Sequence, residues 1–95
     1  MSVTVRVPTI LRTYTDGSAE VTVEVEDPAT LQTVIDALES DHPGIRARIL
    51  DDAGKLRRFV NIYVGDEDVR FSDGLGTPIP PGSSVSVIPA VAGGC

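Results

Sequence analysis

A chain of 95 residues with 41% apolar and 23% charged side chains has the composition of one globular domain, not of a disordered segment. Its formal charge of −6 leaves no surplus of Lys and Arg to neutralise phosphates, which argues against a nucleic-acid binder. Cys95 is the only cysteine, so neither an intrachain disulfide nor a multi-cysteine metal site can form.

Residues 1–11 are broken by Arg6 and Pro8 and have no basic region ahead of an apolar run, so they do not read as a signal peptide. Nothing approaches the roughly 20 apolar residues of a membrane span, and the expected location is cytoplasmic. Val3, Val5 and Val7 alternate with Ser2, Thr4 and Arg6, the period-two pattern of a strand with one buried face. Val21, Val23 and Val25 repeat the pattern against Glu20, Thr22, Glu24 and Glu26, and Thr15-Asp16-Gly17-Ser18 is a turn signal, which predicts an opening hairpin. Asp27 and Pro28 end the second strand, and Thr30 is placed to cap a helix whose apolar positions are Leu31, Val34, Ile35 and Leu38. His42-Pro43-Gly44 stops that helix, Ile45, Ile49 and Leu50 predict a short further helical turn, and residues 51–55 read as a loop.

Residues 59–64 form the third predicted strand, with Val60, Ile62 and Val64 on one face and Phe59, Asn61 and Tyr63 on the other. Residues 65–68 read as a turn, 69–71 as a short strand, 75–82 as a Pro- and Gly-rich connection and 83–88 as the last strand. A helix between two pairs of strands is expected to pack on one face of a mixed sheet, the α+β arrangement called a β-grasp. Residues 1–88 would make the domain and residues 89–95 a flexible tail ending Gly-Gly-Cys.

Three segments, residues 3–12 (VTVRVPTILR), 59–71 (FVNIYVGDEDVRF) and 84–94 (SVSVIPAVAGG), resemble the bacterial CysO-type sulfur carriers of the ThiS/MoaD family, nearly end to end. The resemblance implies a ubiquitin-like β-grasp and a carrier cycle run by partner enzymes. An ATP-dependent activating enzyme adenylates the terminal glycine carboxylate, here Gly94, and sulfur displaces AMP to leave a thiocarboxylate. In the CysO type a pyridoxal-phosphate cysteine synthase uses that sulfur, and a zinc metalloprotease then releases cysteine. ATP, pyridoxal phosphate and zinc are thus expected in the partners, none bound by this chain, which is expected to be a monomer when free.

The tail suits such chemistry. A carboxylate is a poor electrophile until it carries a leaving group. Residues 89–94, extended, reach about 20 Å, and Ala92, Gly93 and Gly94 leave little side chain to obstruct a narrow channel. By composition alone the segment reads equally well as a plain flexible chain end. Cys95 departs from the family pattern, which ends at the glycine. It reads as a residue trimmed by the protease, as the cysteine adduct itself, or as an added residue.

By strand alternation Phe59, Tyr63 and Ile88 share the open face of the sheet, where they would form a docking patch of the kind related carriers present to their enzymes. Arg46, Arg48, Lys55, Arg57 and Arg58 form a basic stretch that reads as a solvated face or as a surface for an acidic partner. No enzyme site is expected: His42 is the sole histidine and sits at a helix end, Cys95 has no activating neighbour in sequence, and Asp66, Glu67 and Asp68 read as a solvated turn. Alternative readings are a MoaD-like subunit of molybdopterin synthase, a carrier for thiamin or another specialised metabolite, and a ubiquitin-like protein modifier joined through Gly94 to lysines.

Overall fold

The computed structural model describes residues 1–57 and 60–89. The valine alternation produces β1 (Ser2–Arg6) and β2 (Glu20–Glu24), paired antiparallel with Val5 opposite Val21 and Val3 opposite Val23. The last strand, β7 (Ser84–Pro89), runs parallel to β1, with Val5 opposite Val85. On the other side of β7, β4 (Val60–Val64) pairs antiparallel, and the short β5 (Glu67–Asp68) closes that edge. The five-stranded order is therefore β2-β1-β7-β4-β5, with the last strand of the described residues at the centre.

Helix α1 (Leu31–Asp41) buries Leu31, Val34, Ile35 and Leu38. Its first turn is closed by a reciprocal capping box, in which the Thr33 N–H reaches the Thr30 hydroxyl and the Thr30 N–H reaches the Thr33 hydroxyl, both at 3.4 Å. The inward sheet residues Val3, Val5, Val23, Ile62, Val85 and Val87 join these side chains in one core, while Val21 and Val64 are only partly covered. The short α2 (Arg46–Ile49) follows, and Ile45 and Ile49 are fully enclosed. One mixed sheet with one main helix on one face is the β-grasp, as expected from the strand and helix pattern.

Three local expectations change. The link from β1 to β2 is not a tight hairpin, because a 3-10 helix (Thr9–Tyr14) follows Pro8 and folds Leu11 into the core. The predicted strand at residues 69–71 is a 3-10 turn (Val69–Phe71) that starts where the Asp68 carboxylate accepts the Arg70 N–H at 2.9 Å, and the strand of that region is β5, one step earlier. The Pro- and Gly-rich connection contains a second, two-stranded sheet, in which β6 (Pro78–Ile79) pairs with β3 (Ala29–Thr30) ahead of α1.

Candidate functional site at the root of the C-terminal tail

Because β1 is parallel to β7 and β4 is antiparallel to it, the exits of β1 and β7 and the entry of β4 lie at one end of the sheet. The described chain leaves the fold there, from the central strand. Two ladder pairs hold that exit, Asn61 opposite Ile88 and Val60 opposite Pro89. Alternation along β7 turns Val85 and Val87 inward and leaves Ile88 45% exposed on the open face. Tyr63, half-buried, stands opposite Ser86, so Tyr63 and Ile88 share that face as diagonal neighbours across the β4–β7 ladder. The polar Asn61 and Ser86 complete this square of four residues.

Of the sequence-predicted site residues, the fold thus brings Tyr63 and Ile88 together. Phe59, Ala92, Gly93, Gly94 and Cys95 lie outside the described residues.

Sequence reasoning missed Arg70. Its guanidinium donates to the Asn61 side-chain oxygen (2.9 Å) and to the backbone carbonyls of Val60 (2.7 Å) and Arg57 (2.9 Å). No sequence signal could have found it, since its partners converge only through strand pairing. Two exposed apolar residues were also missed, Phe71 at 88% and Ile10 at 65% exposure. They follow β5 and β1, the strands that exit at this same end.

The basic stretch is largely engaged within the chain. Arg46 pairs with Asp36 at 3.4 Å, Arg57 donates to the Ala47 carbonyl at 3.0 Å, and Arg48 donates to the Tyr14 hydroxyl at 2.7 Å while lying 5.9 Å from the centre of its ring. Arg58 is outside the described residues. His42 is the residue that follows α1, at the helix end as expected.

A hollow of about 340 Å³ lies between the end of α1 and the loop after α2, lined in part by Glu39, Arg46 and Asp51. Its carboxylates are committed to backbone N–H groups. Glu39 accepts from Gly44 at 3.0 Å and Arg46 at 3.0 Å, and these bonds, Gly44's first, hold its pKa below the ordinary value. Asp51 is lowered in the same way, mainly by the Lys55 N–H at 3.0 Å. Neither group is poised as a general base near neutral pH. Among the described residues no cluster of three or more His, Cys, Asp or Glu could hold a metal ion, and no helix is long and apolar enough to cross a membrane.

A β-grasp with β7 at its centre defines a ubiquitin-like protein. The chain belongs to the ThiS family, whose sequence profile matches residues 5–94. It is a homologue of the sulfur carrier protein CysO of Mycobacterium tuberculosis, with 54% identity covering 99% of this chain and 100% of that one. A chain of the crystal structure of the Amycolatopsis orientalis BexX/CysO complex superposes with a TM-score of 0.86 at 48% identity, covering 94% of this chain and 96% of that one. Small archaeal modifier protein 3 of Haloferax volcanii is 35% identical, covering 82% of this chain and 84% of that one.

Proposed function

We propose that this chain is a sulfur carrier whose Gly94 carboxylate is activated and converted to a thiocarboxylate for cysteine biosynthesis, the chain being a co-substrate of partner enzymes rather than a catalyst. The single observation that carries the reading is that the family match runs through the core and on to residue 94, the second glycine of the tail.

Gly94 is followed by Cys95, so its carboxyl stays in an amide until that bond is hydrolysed. A zinc metalloprotease partner would add water across the Gly94–Cys95 bond, giving free cysteine and the carboxylate. An activating enzyme then joins the carboxylate oxygen to the α-phosphorus of ATP and expels pyrophosphate. Sulfide attacks the acyl carbon, AMP leaves with the bonding pair, and Gly94 ends in a thiocarboxylate. The thiocarboxylate sulfur, still joined to the acyl carbon, then bonds to the side-chain carbon of an amino acid held by a pyridoxal-phosphate enzyme as that carbon's oxygen leaving group departs with its bonding pair, which gives a thioester. An S-to-N shift restores the Gly94–Cys amide, which closes the cycle. Through these steps Gly93 and Ala92 thread the partner's channel, and Ile88, Tyr63 and Phe59 dock on its rim.

The test is intact-mass analysis after incubation with the protease, then with the activating enzyme, ATP and sulfide. Loss of one cysteine, then exchange of one oxygen for sulfur, is the expected sequence. Absence of the sulfur exchange in the trimmed chain, or its persistence in a variant lacking Gly93 and Gly94, would sink the reading.

The likeness to a small archaeal modifier protein supports a second reading, in which the activated Gly94 is passed to lysines of other proteins. Gly94 isopeptides in digests of the native host would favour it, and their absence alongside thiocarboxylate would remove it.

A further inference from the structure

We propose that Arg70 is a positioning residue that fixes the root of the tail. Its guanidinium bonds to Asn61 and to the carbonyls of Val60 and Arg57. Two of these residues, Asn61 and Val60, are the ladder partners of Ile88 and Pro89, the last two residues of β7. Arg70 therefore braces the strand against which the departing chain is zipped.

The bracing side chain is itself held. The Arg70 N–H donates to the Asp68 carboxylate at 2.9 Å, and the preceding residue, Val69, is fully buried. A continuous set of bonds thus runs from β5 through Arg70 to the entry of β4 and across the ladder to the end of β7. Only arginine suits the position. Its flat, five-donor head reaches two backbone oxygens with one nitrogen and the Asn61 amide oxygen with the other, whereas a lysine ammonium is a compact point that cannot span them.

The consequence concerns the tail, and it rests on the carrier reading above. If the end of β7 frays, Ile88 and Pro89 leave the sheet. Each freed residue must then be ordered again when the tail enters a partner's channel, and that cost falls on association, not on the chemical step.

The experiment compares the wild-type chain with Arg70→Gln and Arg70→Lys, all three trimmed to end at Gly94, in two measurements. Amide hydrogen exchange over residues 86–88 is expected to quicken by roughly tenfold in both variants, with exchange over β1 and β2 unchanged. In adenylation by the activating enzyme, KM for the carrier is expected to rise roughly three- to tenfold with kcat unchanged, and lysine is expected not to rescue. Unchanged exchange at residues 86–88 overturns the proposal. So does a fall in kcat at constant KM, or full recovery by lysine. Should Arg70→Gln not fold, Asn61→Ala removes one acceptor and carries the same exchange test. If the wild-type chain trimmed to Gly94 is not adenylated at all, the carrier reading falls, and the exchange data alone decide the brace.

Discussion

The ring of Tyr14 lies so close over Gly44 that a β-carbon there would sit 3.0 Å from Tyr14 Cε1. This contact, with the bond from Arg48 to the Tyr14 hydroxyl, ties the 3-10 helix after β1 to the turn between α1 and α2. Gly44 also has a φ of +99°, which side-chain-bearing residues rarely adopt. Gly44→Ala is expected to cost about 2–3 kcal/mol, roughly 1 from the backbone and the rest from displacing the ring. Gly17→Ala is the comparison: φ is +86° with nothing within 4 Å, so only the backbone part, about 1 kcal/mol, should appear. Urea unfolding of both variants checks the difference, and equal costs would show that the Tyr14 contact is slack.

The two faces of the central strands should respond oppositely. Ile62 is 1% exposed and faces α1 from within the core, so Ile62→Ala is expected to lose about 2–5 kcal/mol. Ile88, opposite Asn61 on the open face, should lose roughly 0.5 kcal/mol or less on the same change. Under the proposed carrier role, in which Ile88 docks on the activating enzyme, Ile88→Asp is instead expected to weaken that binding by roughly tenfold. Thermal unfolding and titration calorimetry separate the two, and a folded Ile88→Asp that binds normally would remove Ile88 from the docking surface.

The capping box makes α1 sensitive at its first residue. Thr30→Ala removes the acceptor for the Thr33 N–H and is expected to destabilise by about 1 kcal/mol. Thr30 also belongs to β3, paired with Pro78, so Thr30→Ser, which keeps the hydroxyl, should recover most of the loss. Chemical denaturation of both variants checks this, and failure of serine to recover stability would place the loss in the small sheet.

Glu39 sets a pH dependence. Two backbone N–H groups favour its ionised form and lower its folded pKa below the ordinary 4.5. The unfolded chain therefore binds this proton first, so the contribution is complete above about pH 5 and is lost as pH falls through 4.5 and then through the lower folded value. Glu39→Gln should accordingly be less stable than wild type at pH 7, with the gap closing under acid. Unfolding free energies from pH 7 to pH 3 test it, and a gap that widens on acidification would contradict the sign. Asp51, lowered from 3.8 by the Lys55 N–H, should show the same direction over a slightly lower range.

Elements that bury one face over several residues were readable along the chain. The valines of β1 and β7, the alternation in β4, and Leu31, Val34, Ile35 and Leu38 in α1 repeat at a spacing set by local backbone geometry, so they reveal both the element and its inward side. The same alternation puts Ile88 and Tyr63 on the open face. The proposed carrier chemistry, in contrast, rests on the resemblance of residues 3–12, 59–71 and 84–94 and on the composition of residues 89–94, not on any period.

Other features belonged to the folded molecule alone. The pairing of Ala29–Thr30 with Pro78–Ile79 involves strands of two residues, too short to show alternation, and is continued by the Leu31 N–H, which donates to the Thr77 carbonyl at 3.0 Å. Asp68 could extend a strand or cap a turn, and the choice went to the turn that buries Val69. Arg70 meets Val60 and Asn61 from about ten positions away, through a side chain bonding to backbone, and such a bond leaves no trace in residue spacing. Local patterning sets which residues face inward, because burial acts on each element separately. Which strand edge holds the root of the tail is settled only when distant segments pair, because hydrogen bonds across a ladder depend on register and not on composition.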